Sequence, residues 1–427
     1  MRILFVTPAF PPFPGGGERY VRALASRLSQ RGHSVTVLTS LAQTERDFWS
    51  PGPISREDSE VSDESLHVTR LPLQQFPGGR AALLAWRKAM VLLSTLPGDQ
   101  SRRLMRMARH IPAIHGFETA LARLPDAFDL VHSFNLSWEY PTVAGWRYAR
   151  SRGLPFVVTP FAHLGAREND RVARNNTMDH QRSILINANA VLALTSVERD
   201  RLSALGVPAA RLSVIGAGVE ALPVRAGTAG AAADTLQRFA VRPPLVIFVG
   251  RVGYDKGAIH CAEAVRLLRR KRVEVTLALM GQVAPEFERY ARRLSDQDRQ
   301  SIRTLGIVSD AEKHALMDAS EMLLLPSRTD SFGLALLEAW QHGKPVIGAR
   351  AGGIPGVIDD GDNGLLVRFG DVDELAGAIL LLLRDEPRRQ CMGQHGREKV
   401  IAQYSWDAVC DRVLNVYRRV LDDARLG

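Results

Sequence analysis

Two carboxylates eight positions apart, Asp330 and Glu338, stand in the segment PSRTDSFGLALLEAW. Carboxylates accept paired hydrogen bonds from neighbouring hydroxyl groups, so this pair suits a sugar and a ribose. We predict a helix over Phe332–His342, with Asp330 in the loop before it and Glu338 about two turns along it. The plainer interpretations are a helix N-cap for Asp330 and an exposed helix face for Glu338. The apolar neighbours of Glu338 favour a buried, ligand-binding acid.

Two cations, Arg251 and Lys256, flank a glycine-rich turn in the segment FVGRVGYDKG. The preceding apolar run, Leu245–Gly250, predicts a parallel strand, and doubly wound folds bind ligands beyond the carboxyl ends of such strands. These cations could neutralise a diphosphate without a metal. Loop cations are usually only solvated, but the neighbouring Gly250 and Gly257 favour the binding interpretation.

A second glycine-rich segment, Gly15–Gly17, follows the first predicted strand and precedes a helix. Glycine lets backbone N–H groups approach a phosphate closely, and a helix N-terminus supplies partial positive charge. The spacing matches neither GxGxxG nor a Walker loop. Taken alone, this segment therefore indicates a structural turn.

The elements that must position these residues alternate between strand-length apolar runs and amphipathic helices. This alternation predicts an α/β fold with doubly wound parallel sheets. Glu18–Arg31 is predicted as the first helix because its apolar residues recur at helical spacing. The predicted strands of the first half are Arg2–Thr7, Ser34–Thr39, Leu130–Ser133, Phe156–Pro160 and Val191–Thr195.

A small-residue segment, Pro223–Ala233, predicts a linker or exposed loop between two Rossmann-like domains. We therefore place the domains at 1–222 and 223–405, and we expect a C-terminal helix at about 406–427 to pack back on the first. A fresh α/β pattern follows the linker. Its predicted strands are Leu245–Gly250, Val275–Met280, Met322–Leu325 and Lys344–Ala349, and the further helices are Ala258–Arg270 and Trp406–Leu421.

The composition is that of a folded protein: 427 residues, 45% hydrophobic and 24% charged, which excludes wholesale disorder. A net charge of +9 favours phosphorylated ligands, anionic membranes or nucleic acid as partners. Three distant cysteines, Cys261, Cys391 and Cys410, indicate reduced, buried or partly buried thiols rather than a zinc site or disulfides. The apolar runs are too short to span a bilayer and the N-terminus does not resemble a signal peptide, so we expect a cytoplasmic protein.

Residues 80–115 carry seven cations and a single acid, Asp99, with Leu, Met, Ile and Trp86 interleaved. One interpretation is a basic amphipathic element that lies on anionic lipid. The other, slightly favoured, is a solvated helical insertion whose apolar face packs on its own domain. The cations are Arg80, Arg87, Lys88, Arg102, Arg103, Arg106 and Arg109.

Together these motifs resemble glycosyltransferase family 4, whose members are retaining enzymes of the GT-B fold. The likeness covers nearly the whole chain, through PPFPGGGERYVRALASRLSQRGHSVTVLTS, GRVGYDKG, LLLPSRTDSFGLALLEAWQHGKPVIGARAGGIPGVIDDGDNGLLV and YSWDAVCDRVLNVYRRVL. It implies a hexosyltransferase that uses a nucleotide diphosphate sugar, with UDP favoured over GDP. The implied acceptor is a glycan, a lipid-linked molecule or a small molecule, in polysaccharide or glycolipid biosynthesis.

The resemblance also implies a role for each site residue. Asp330 is similar to the acid that binds the donor sugar, and Glu338 to the acid that binds the nucleotide ribose. Arg251 and Lys256 match the donor-phosphate residues. His163, in TPFAHLG, matches the histidine that faces the sugar, although a single histidine after a strand is more often structural. The remaining donor-binding residues implied are Gly16 and Gly17, in the segment that closes on the diphosphate, with Gly250, Ser331, Phe332, Gly333 and Leu334.

Two positions depart from the family pattern. Asp330 stands where glutamate is commoner, and its side chain, one methylene shorter, would shift the sugar or change which hydroxyl is recognised. The segment IGAGVE replaces the usual family sequence but keeps Gly218 and Val219. Neither change removes the phosphate cations or the second acid, so we expect an active enzyme.

The implied chemistry needs charge stabilisation on a departing diphosphate, which the cations would supply. We therefore expect neither a cofactor nor a divalent metal. By resemblance the first domain receives the acceptor, and it contains the basic stretch 80–115. A lipid-linked or membrane-proximal acceptor is accordingly the leading expectation, with peripheral contact at the inner face of an anionic membrane. A soluble small acceptor is the alternative.

Other functions agree less well with the sequence. An NAD-dependent oxidoreductase is disfavoured because the loop after the first strand lacks GxGxxG and the second strand ends without an acid. A GT-B relative with epimerase or phosphorylase activity stays open, as does a nucleotide-binding protein without transfer activity. No nucleic acid partner is expected, because no recognition motif accompanies the charge and aromatic residues are only 7%.

Overall fold

The computed structural model of the protein describes residues 1–51, 59–63, 66–125, 128–163, 171–220, 222 and 229–426. These residues form two compact units. Unit 1 contains the described residues of Met1–His163, Asn169–Ala217 and Trp406–Gly427, and those of unit 2 lie within Gly218–Ser405. The chain therefore leaves unit 1 after Ala217, a few residues before the predicted boundary at 222.

Unit 1 is built on an eight-stranded sheet in the order β3-β4-β2-β1-β5-β6-β7-β8. Only the pair β3–β4 is antiparallel, and the other neighbours run parallel. The central strands are buried along almost their whole length, as expected for a sheet covered on both faces. The strands are β1 (Arg2–Val6), β2 (Ser34–Ser40), β3 (Ser59–Asp63), β4 (Leu66–Leu71), β5 (Leu130–Phe134), β6 (Phe156–Thr159), β7 (Ala190–Ala193) and β8 (Leu212–Val214).

The first helix shows why the unit 1 helices cover this sheet. It spans Gly16–Gln30 and buries Tyr20, Val21, Leu24 and Leu28 at helical spacing, so one stripe faces the core. The unit 1 helices up to the linker are α1 (Gly16–Gln30), α2 (Glu45–Trp49), α3 (Gly79–Leu93), α4 (Ser101–Met107), α5 (Phe117–Arg123), α6 (Glu139–Ser151), α7 (Arg171–Arg174), α8 (Asp179–Asn187) and α9 (Ser196–Ala204), with short 3-10 turns at Ala108–His110 and Ala209–Arg211.

The basic stretch 80–115 forms α3, α4 and the 3-10 turn that follows. Its apolar residues Leu83, Met90 and Leu104 are buried in the main core of unit 1. The interpretation as an insertion that packs on its own domain is therefore right for this face. Leu92 lies on the opposite side of α3 with 67% of its surface exposed, so part of the apolar character stays at the surface. None of the helices in the described part of the chain is both long and apolar enough to cross a membrane.

Unit 2 contains a six-stranded, fully parallel sheet in the order β11-β10-β9-β12-β13-β14. Its strands are β9 (Leu245–Val249), β10 (Thr276–Met280), β11 (Ile302–Gly306), β12 (Met322–Leu325), β13 (Val346–Ala349) and β14 (Gly364–Val367). Its helices are α10 (Ala229–Arg238), α11 (Ala258–Arg270), α12 (Pro285–Ala291), α13 (Asp296–Ser301), α14 (Asp310–Ala319), α15 (Leu334–Gln341), α16 (Val372–Arg384) and α17 (Glu386–Gln403), with a 3-10 turn at Ile354–Gly356.

Two predicted elements of unit 2 need correction. The predicted helix Phe332–His342 begins only at Leu334, so Glu338 lies just over one turn along α15 rather than two. The predicted linker Pro223–Ala233 is wrong at its end, because Ala229–Ala233 opens α10. Alanine is the best helix former, and this outweighs the turn-like composition of the segment. Residues 223–228 lie outside the described residues.

The last helix, α18 (Trp406–Leu426), belongs to unit 1. It is tied to the sheet by His132 of β5, whose Nδ1 lies 2.6 Å from the Tyr417 hydroxyl and whose Nε2 lies 2.8 Å from Thr159 Oγ1. Burial holds the pKa of His132 well below its ordinary value. A neutral imidazole with both nitrogens hydrogen-bonded therefore fixes α18 on β5 and β6.

Candidate active site

The turn after β9 carries the predicted phosphate cations of unit 2. Gly250 follows the strand directly, and its N–H donates to the Met280 carbonyl at the end of the neighbouring β10. Arg251 comes next and is exposed, and Lys256 is half-buried at the other end of the turn. Both cations thus lie at the carboxyl edge of the sheet, where parallel α/β sheets bind ligands.

Gly257 sets how closely this turn approaches the loop after β12. It caps α11 with a φ of 84°, and a Cβ at this position would collide with the Pro326 carbonyl oxygen. Only glycine meets both conditions without strain. The close approach brings Lys256 to the loop that carries Asp330.

Lys256 and Asp330 form an ion pair at this edge, with 2.6 Å between Lys256 Nζ and Asp330 Oδ1. Both side chains keep some exposure, 27% for Lys256 and 16% for Asp330. Asp330 does not cap α15, since the N-cap is Gly333 and no side chain supplies a cap hydrogen bond there. The helix-cap interpretation of Asp330 is therefore wrong, and its carboxylate instead pairs with Lys256 at the carboxyl edge of the sheet.

The backbone at Asp330 and Ser331 is held by Gly353 rather than by α15. The Gly353 N–H donates to the Asp330 carbonyl at 2.8 Å, and a Cβ on Gly353 would collide with the Ser331 carbonyl. Phe332 is buried, and its ring packs edge-on against Tyr404. Ser331, Phe332 and Gly333 therefore form a bend ahead of α15, and Leu334 is the first helical residue.

Glu338 has a lysine partner that the sequence did not indicate. Lys313, on α14, donates to Glu338 Oε1 at 2.9 Å, and its ammonium also lies 3.1 Å from Asp310. Glu338 is half-buried, and its charge is partly balanced by Lys313. Lys313 went unnoticed because a lysine in an amphipathic helix is ordinarily solvated.

Arg328 is a further cation that sequence reasoning missed. Its guanidinium lies 2.7 Å from the Asp255 carboxylate, and its backbone N–H donates to the Asp255 carbonyl at 3.0 Å. The guanidinium also stacks over the rings of Tyr254 and Phe369. These contacts fasten the loop of Asp330 to the turn of Lys256. The sequence offers no signal for them, because the partners lie 73 positions apart.

The segment IGAGVE, the second departure from the family pattern, is firmly placed within unit 2 from Gly218 onward. The Val219 N–H donates to the Tyr404 carbonyl at 3.0 Å. The Glu220 carbonyl accepts a hydrogen bond of 2.6 Å from Gln341, at the end of α15. The backbone here is therefore connected to the helix that carries Glu338.

In unit 1, His163 and the glycine segment lie at one edge of the sheet. His163 lies in the loop after β6, and Gly16 and Gly17 open α1, which follows β1. They are linked by Phe161, because a Cβ on Gly17 would come within 3.3 Å of the Phe161 ring. Phe161 has a φ of 48° although it is not a glycine. Strained residues of this kind persist where the surroundings restrain them, often at functional sites.

Glu18 lies in the first turn of α1, directly after the glycine segment. Burial raises the pKa of its carboxyl to about 7, against a weaker lowering by its own backbone N–H. The nearby Glu45 raises this pKa further, and Arg19 lowers it. Glu18 is therefore an acid that stays largely uncharged below neutral pH, beside N–H groups that would suit an anion.

The unit 2 cluster has one clear chemical capacity. Two cations and a carboxylate stand at the carboxyl edge, with a second carboxylate on the following helix. Such a set can neutralise a diphosphate and hold sugar hydroxyls. Among the described residues, no three His, Cys, Asp or Glu side chains are grouped as metal ligands would be.

The three cysteines are free thiols. Cys261 and Cys410 are buried, as predicted, but Cys391 is exposed, contrary to the prediction of buried or partly buried thiols.

Comparison with known proteins decides the class. Residues 15–218 match the family model described as "Glycosyl transferase 4-like domain", and residues 236–399 match "Glycosyl transferases group 1". The chain belongs to the family 4 glycosyltransferases of the GT-B fold. This glycosyltransferase is 25% identical over 426 residues to a glycogen synthase of Mycobacterium tuberculosis, across 98% of this chain and 94% of that protein.

Solved structures show the same fold. The glycosyltransferase superposes on a sucrose-phosphate synthase from Thermosynechococcus elongatus with a TM-score of 0.71, 22% identity and 99% of each chain covered. It also superposes on Alr3699/HepE of Anabaena in complex with UDP, with a TM-score of 0.69, 19% identity, and 98% and 100% of the two chains covered. The predicted fold, two Rossmann-like units of the GT-B type, is confirmed.

Proposed function

We propose that this glycosyltransferase moves a hexose from a UDP-sugar to an acceptor hydroxyl, with retention at the anomeric carbon and without a divalent metal. The observation that carries the proposal is the ion pair Lys256–Asp330, which stands beside Arg251 at the carboxyl edge of unit 2. It combines phosphate-neutralising charge with a hydroxyl acceptor in one place. UDP is favoured as the carrier because the Anabaena structure of the same fold was solved with UDP.

The reaction breaks the bond between the anomeric carbon and the diphosphate oxygen, and the electron pair leaves with the diphosphate. The acceptor oxygen bonds to the same face of the anomeric carbon, and its proton passes to a departing phosphate oxygen. Arg251 and Lys256 would stabilise the charge that develops on this leaving group. Because two fixed cations do so, a metal ion is not required.

Each remaining residue has a binding role in this scheme. Asp330 and the backbone of Ser331 to Gly333 would accept and donate hydrogen bonds to the sugar hydroxyls. Glu338 would bind the ribose hydroxyls. In unit 1, His163 would contact the sugar, and Gly16 and Gly17 would offer backbone N–H groups to the diphosphate.

The acceptor is proposed to be lipid-linked or membrane-proximal, bound by unit 1. This rests on α3, where Leu84 and Leu92 are exposed together with Lys88, and on the turn after it, where Leu96 is exposed. Exposed apolar side chains beside cations favour the surface of an anionic membrane. A soluble acceptor is the alternative. We propose a cytoplasmic enzyme at the inner face of the membrane, because the proposed nucleotide-sugar donor is a cytoplasmic metabolite.

Proton NMR of a reaction with a panel of UDP-hexoses in excess EDTA tests the proposal. A glycosylated product with the anomeric configuration of the donor, at a rate unaffected by EDTA, is expected. The double variant Arg251→Ala/Lys256→Ala should lose at least about a hundredfold in kcat/KM. Lys271→Ala, which removes an exposed cation at the other end of α11, is the matched control. An inverted product, or dependence on metal, would overturn the mechanism, and an epimerised nucleotide sugar would point to epimerase activity instead.

A further inference from the structure

Glu198 is a buried acid that the proposed reaction does not use. It is the third residue of α9, and its N–H donates to the side-chain oxygen of the N-cap, Thr195, at 3.1 Å. Its side chain is fully buried within unit 1. A buried carboxylate costs free energy unless hydrogen bonds satisfy it, so its partners explain its presence.

The partners of the Glu198 carboxylate are two backbone amides on separate loops. Oε2 accepts the N–H of Leu194, directly after β7, at 2.7 Å. Oε1 accepts the N–H of Ala162, in the loop after β6, at 2.8 Å. The carboxylate therefore joins the carboxyl ends of two adjacent parallel strands, and one of its two bonds ends next to His163.

This arrangement differs from an ordinary helix cap. In a capping box the third residue returns its carboxylate to the N–H of the N-cap itself. Here the Glu198 carboxylate passes Thr195 and reaches Ala162, 36 positions earlier in the chain. An exposed glutamate would serve α9 equally well, so burial is explained by the bond to the His163 loop.

The His163 loop needs such a restraint. Phe161 holds a φ of 48°, which costs an ordinary side chain roughly 1–3 kcal/mol. Its ring is fixed on one side by Tyr20, edge-on at 5.5 Å between centroids, and it contacts Gly17. The Ala162 N–H is buried and must find an acceptor. Tyr20 and Glu198 together hold the residues on either side of this strained peptide.

We propose that Glu198 is a positioning residue for His163: its carboxylate fixes the Ala162 amide and so sets where the imidazole is presented. The inference rests on the proposed function, in which His163 contacts the donor sugar. Glu198 itself touches no substrate. A misplacement of a contacting group by about 1 Å can cost a hundredfold in rate, so the effect should appear in kcat.

The test compares the wild type with Glu198→Gln, which keeps the shape but offers one acceptor oxygen to two N–H groups. Glu118→Gln, at an exposed acid of the same unit that pairs with Arg109 and Arg147, is the matched control. Glu198→Asp serves as a second variant should the glutamine variant not fold. Each protein is measured by hydrogen–deuterium exchange of residues 156–163 and 190–196, by kcat and KM, and by UDP affinity.

Glu198→Gln is expected to speed amide exchange in these segments at least tenfold and to lower kcat about ten- to hundredfold. UDP affinity and the KM for the donor should change less than twofold, because the proposed nucleotide contacts, in unit 2 and at Gly16 and Gly17, do not include Ala162 or His163. In a His163→Ala background the same substitution should lower kcat less than twofold further. Unchanged exchange, unchanged kcat, or a full additional loss in the His163→Ala background would overturn the inference.

The positioning role of Glu198 can be tested even if the proposed transfer activity is not found. If the wild type transfers no sugar from any donor, the imidazole NMR signal of His163, assigned by its loss in His163→Ala, replaces kcat as the readout. A shift of that signal in Glu198→Gln, with faster exchange at Ala162, supports the positioning role. A signal that stays in place overturns it.

Discussion

Lys256 donates a 2.6 Å hydrogen bond to Asp330, although 74 positions separate the two residues in the chain. The pair joins the proposed phosphate-binding cation to the proposed sugar-binding acid. Both side chains keep some exposure, so a ligand that enters this edge can replace their bond with bonds of its own. When the donor binds, the ion pair would break: Lys256 would then bond to the phosphates and Asp330 to the sugar hydroxyls.

Asp330→Asn should therefore affect transfer and nucleotide binding in opposite directions. The asparagine keeps only one, uncharged acceptor oxygen for the sugar hydroxyls, so kcat/KM should fall about a hundredfold. UDP carries no sugar, and Lys256 is released for the phosphates, so UDP affinity should rise by about threefold. Calorimetry and initial rates measure the two effects. Asp362→Asn, at an exposed acid of unit 2 that pairs with His395, is the control; weaker UDP binding by Asp330→Asn would contradict this division of roles.

Glu338→Gln tests the ribose assignment. A hydrogen bond to a charged group is worth about 1.5–3 kcal/mol, so UDP affinity should fall at least about tenfold. Affinity for 2′-deoxy-UDP should fall less, because that nucleotide lacks one of the hydroxyls recognised. The titrations are repeated with Glu321→Gln, an acid of unit 2 that pairs with Arg389. Equal losses for the two nucleotides would show that Glu338 does not read the ribose.

Glu18 should make the stability of unit 1 depend on pH. Its folded pKa, raised to about 7 by burial, lies above the ordinary 4.5, so between these values the unfolded chain ionises first. Stability is complete at low pH and is lost as pH rises through 7. From pH 5.5 to 8 the wild type should lose about 2 kcal/mol relative to Glu18→Gln.

Urea unfolding followed by tryptophan fluorescence measures this difference, because five of the six tryptophans lie in unit 1 and only Trp340 lies in unit 2. Burial also raises the pKa of Glu198 to about 7. Glu198 is present in both proteins, so its contribution to the pH dependence cancels in the difference. A pH-independent difference between the wild type and Glu18→Gln would contradict the raised pKa.

Leu92→Ser tests the membrane contact of α3. Leu92 exposes 67% of its surface beside a cationic face, and burying a leucine in lipid is worth about 1.5–3 kcal/mol. Sedimentation with anionic phosphatidylglycerol vesicles should therefore weaken at least about tenfold in the variant, and salt should weaken it for the wild type. Leu381→Ser, at an exposed leucine of unit 2, should bind as the wild type does. Wild-type protein that stays in the supernatant would sink the proposal.

The sequence predicted most elements well where local signals agreed. Helix α11 was predicted at Ala258–Arg270, its observed bounds, because Gly257 marks its start and its apolar residues follow a helical period. Strand β12 was likewise predicted at Met322–Leu325. These elements depend on residues that are neighbours in the chain.

The errors and omissions arise from contacts between distant segments. Helix α15 starts two residues late because Gly353, twenty positions after Gly333, holds the preceding bend. The bonds Lys313–Glu338 and Glu198–Ala162 join residues 25 and 36 positions apart, and no local pattern identifies such partners. The residues that lie at the carboxyl edge of unit 2 were therefore predictable from the sequence, but their ion-pair partners were not.

Calorimetric titration of UDP into the protein in EDTA tests the central claim, that unit 2 binds a nucleotide diphosphate through its own cations. The wild type is compared with Lys256→Ala and with the control Lys271→Ala. We predict metal-free binding of UDP that weakens at least about tenfold in Lys256→Ala and is unchanged in Lys271→Ala. A folded wild type that binds UDP only with a divalent metal, or a Lys256→Ala variant that binds as tightly as the wild type, would contradict the account.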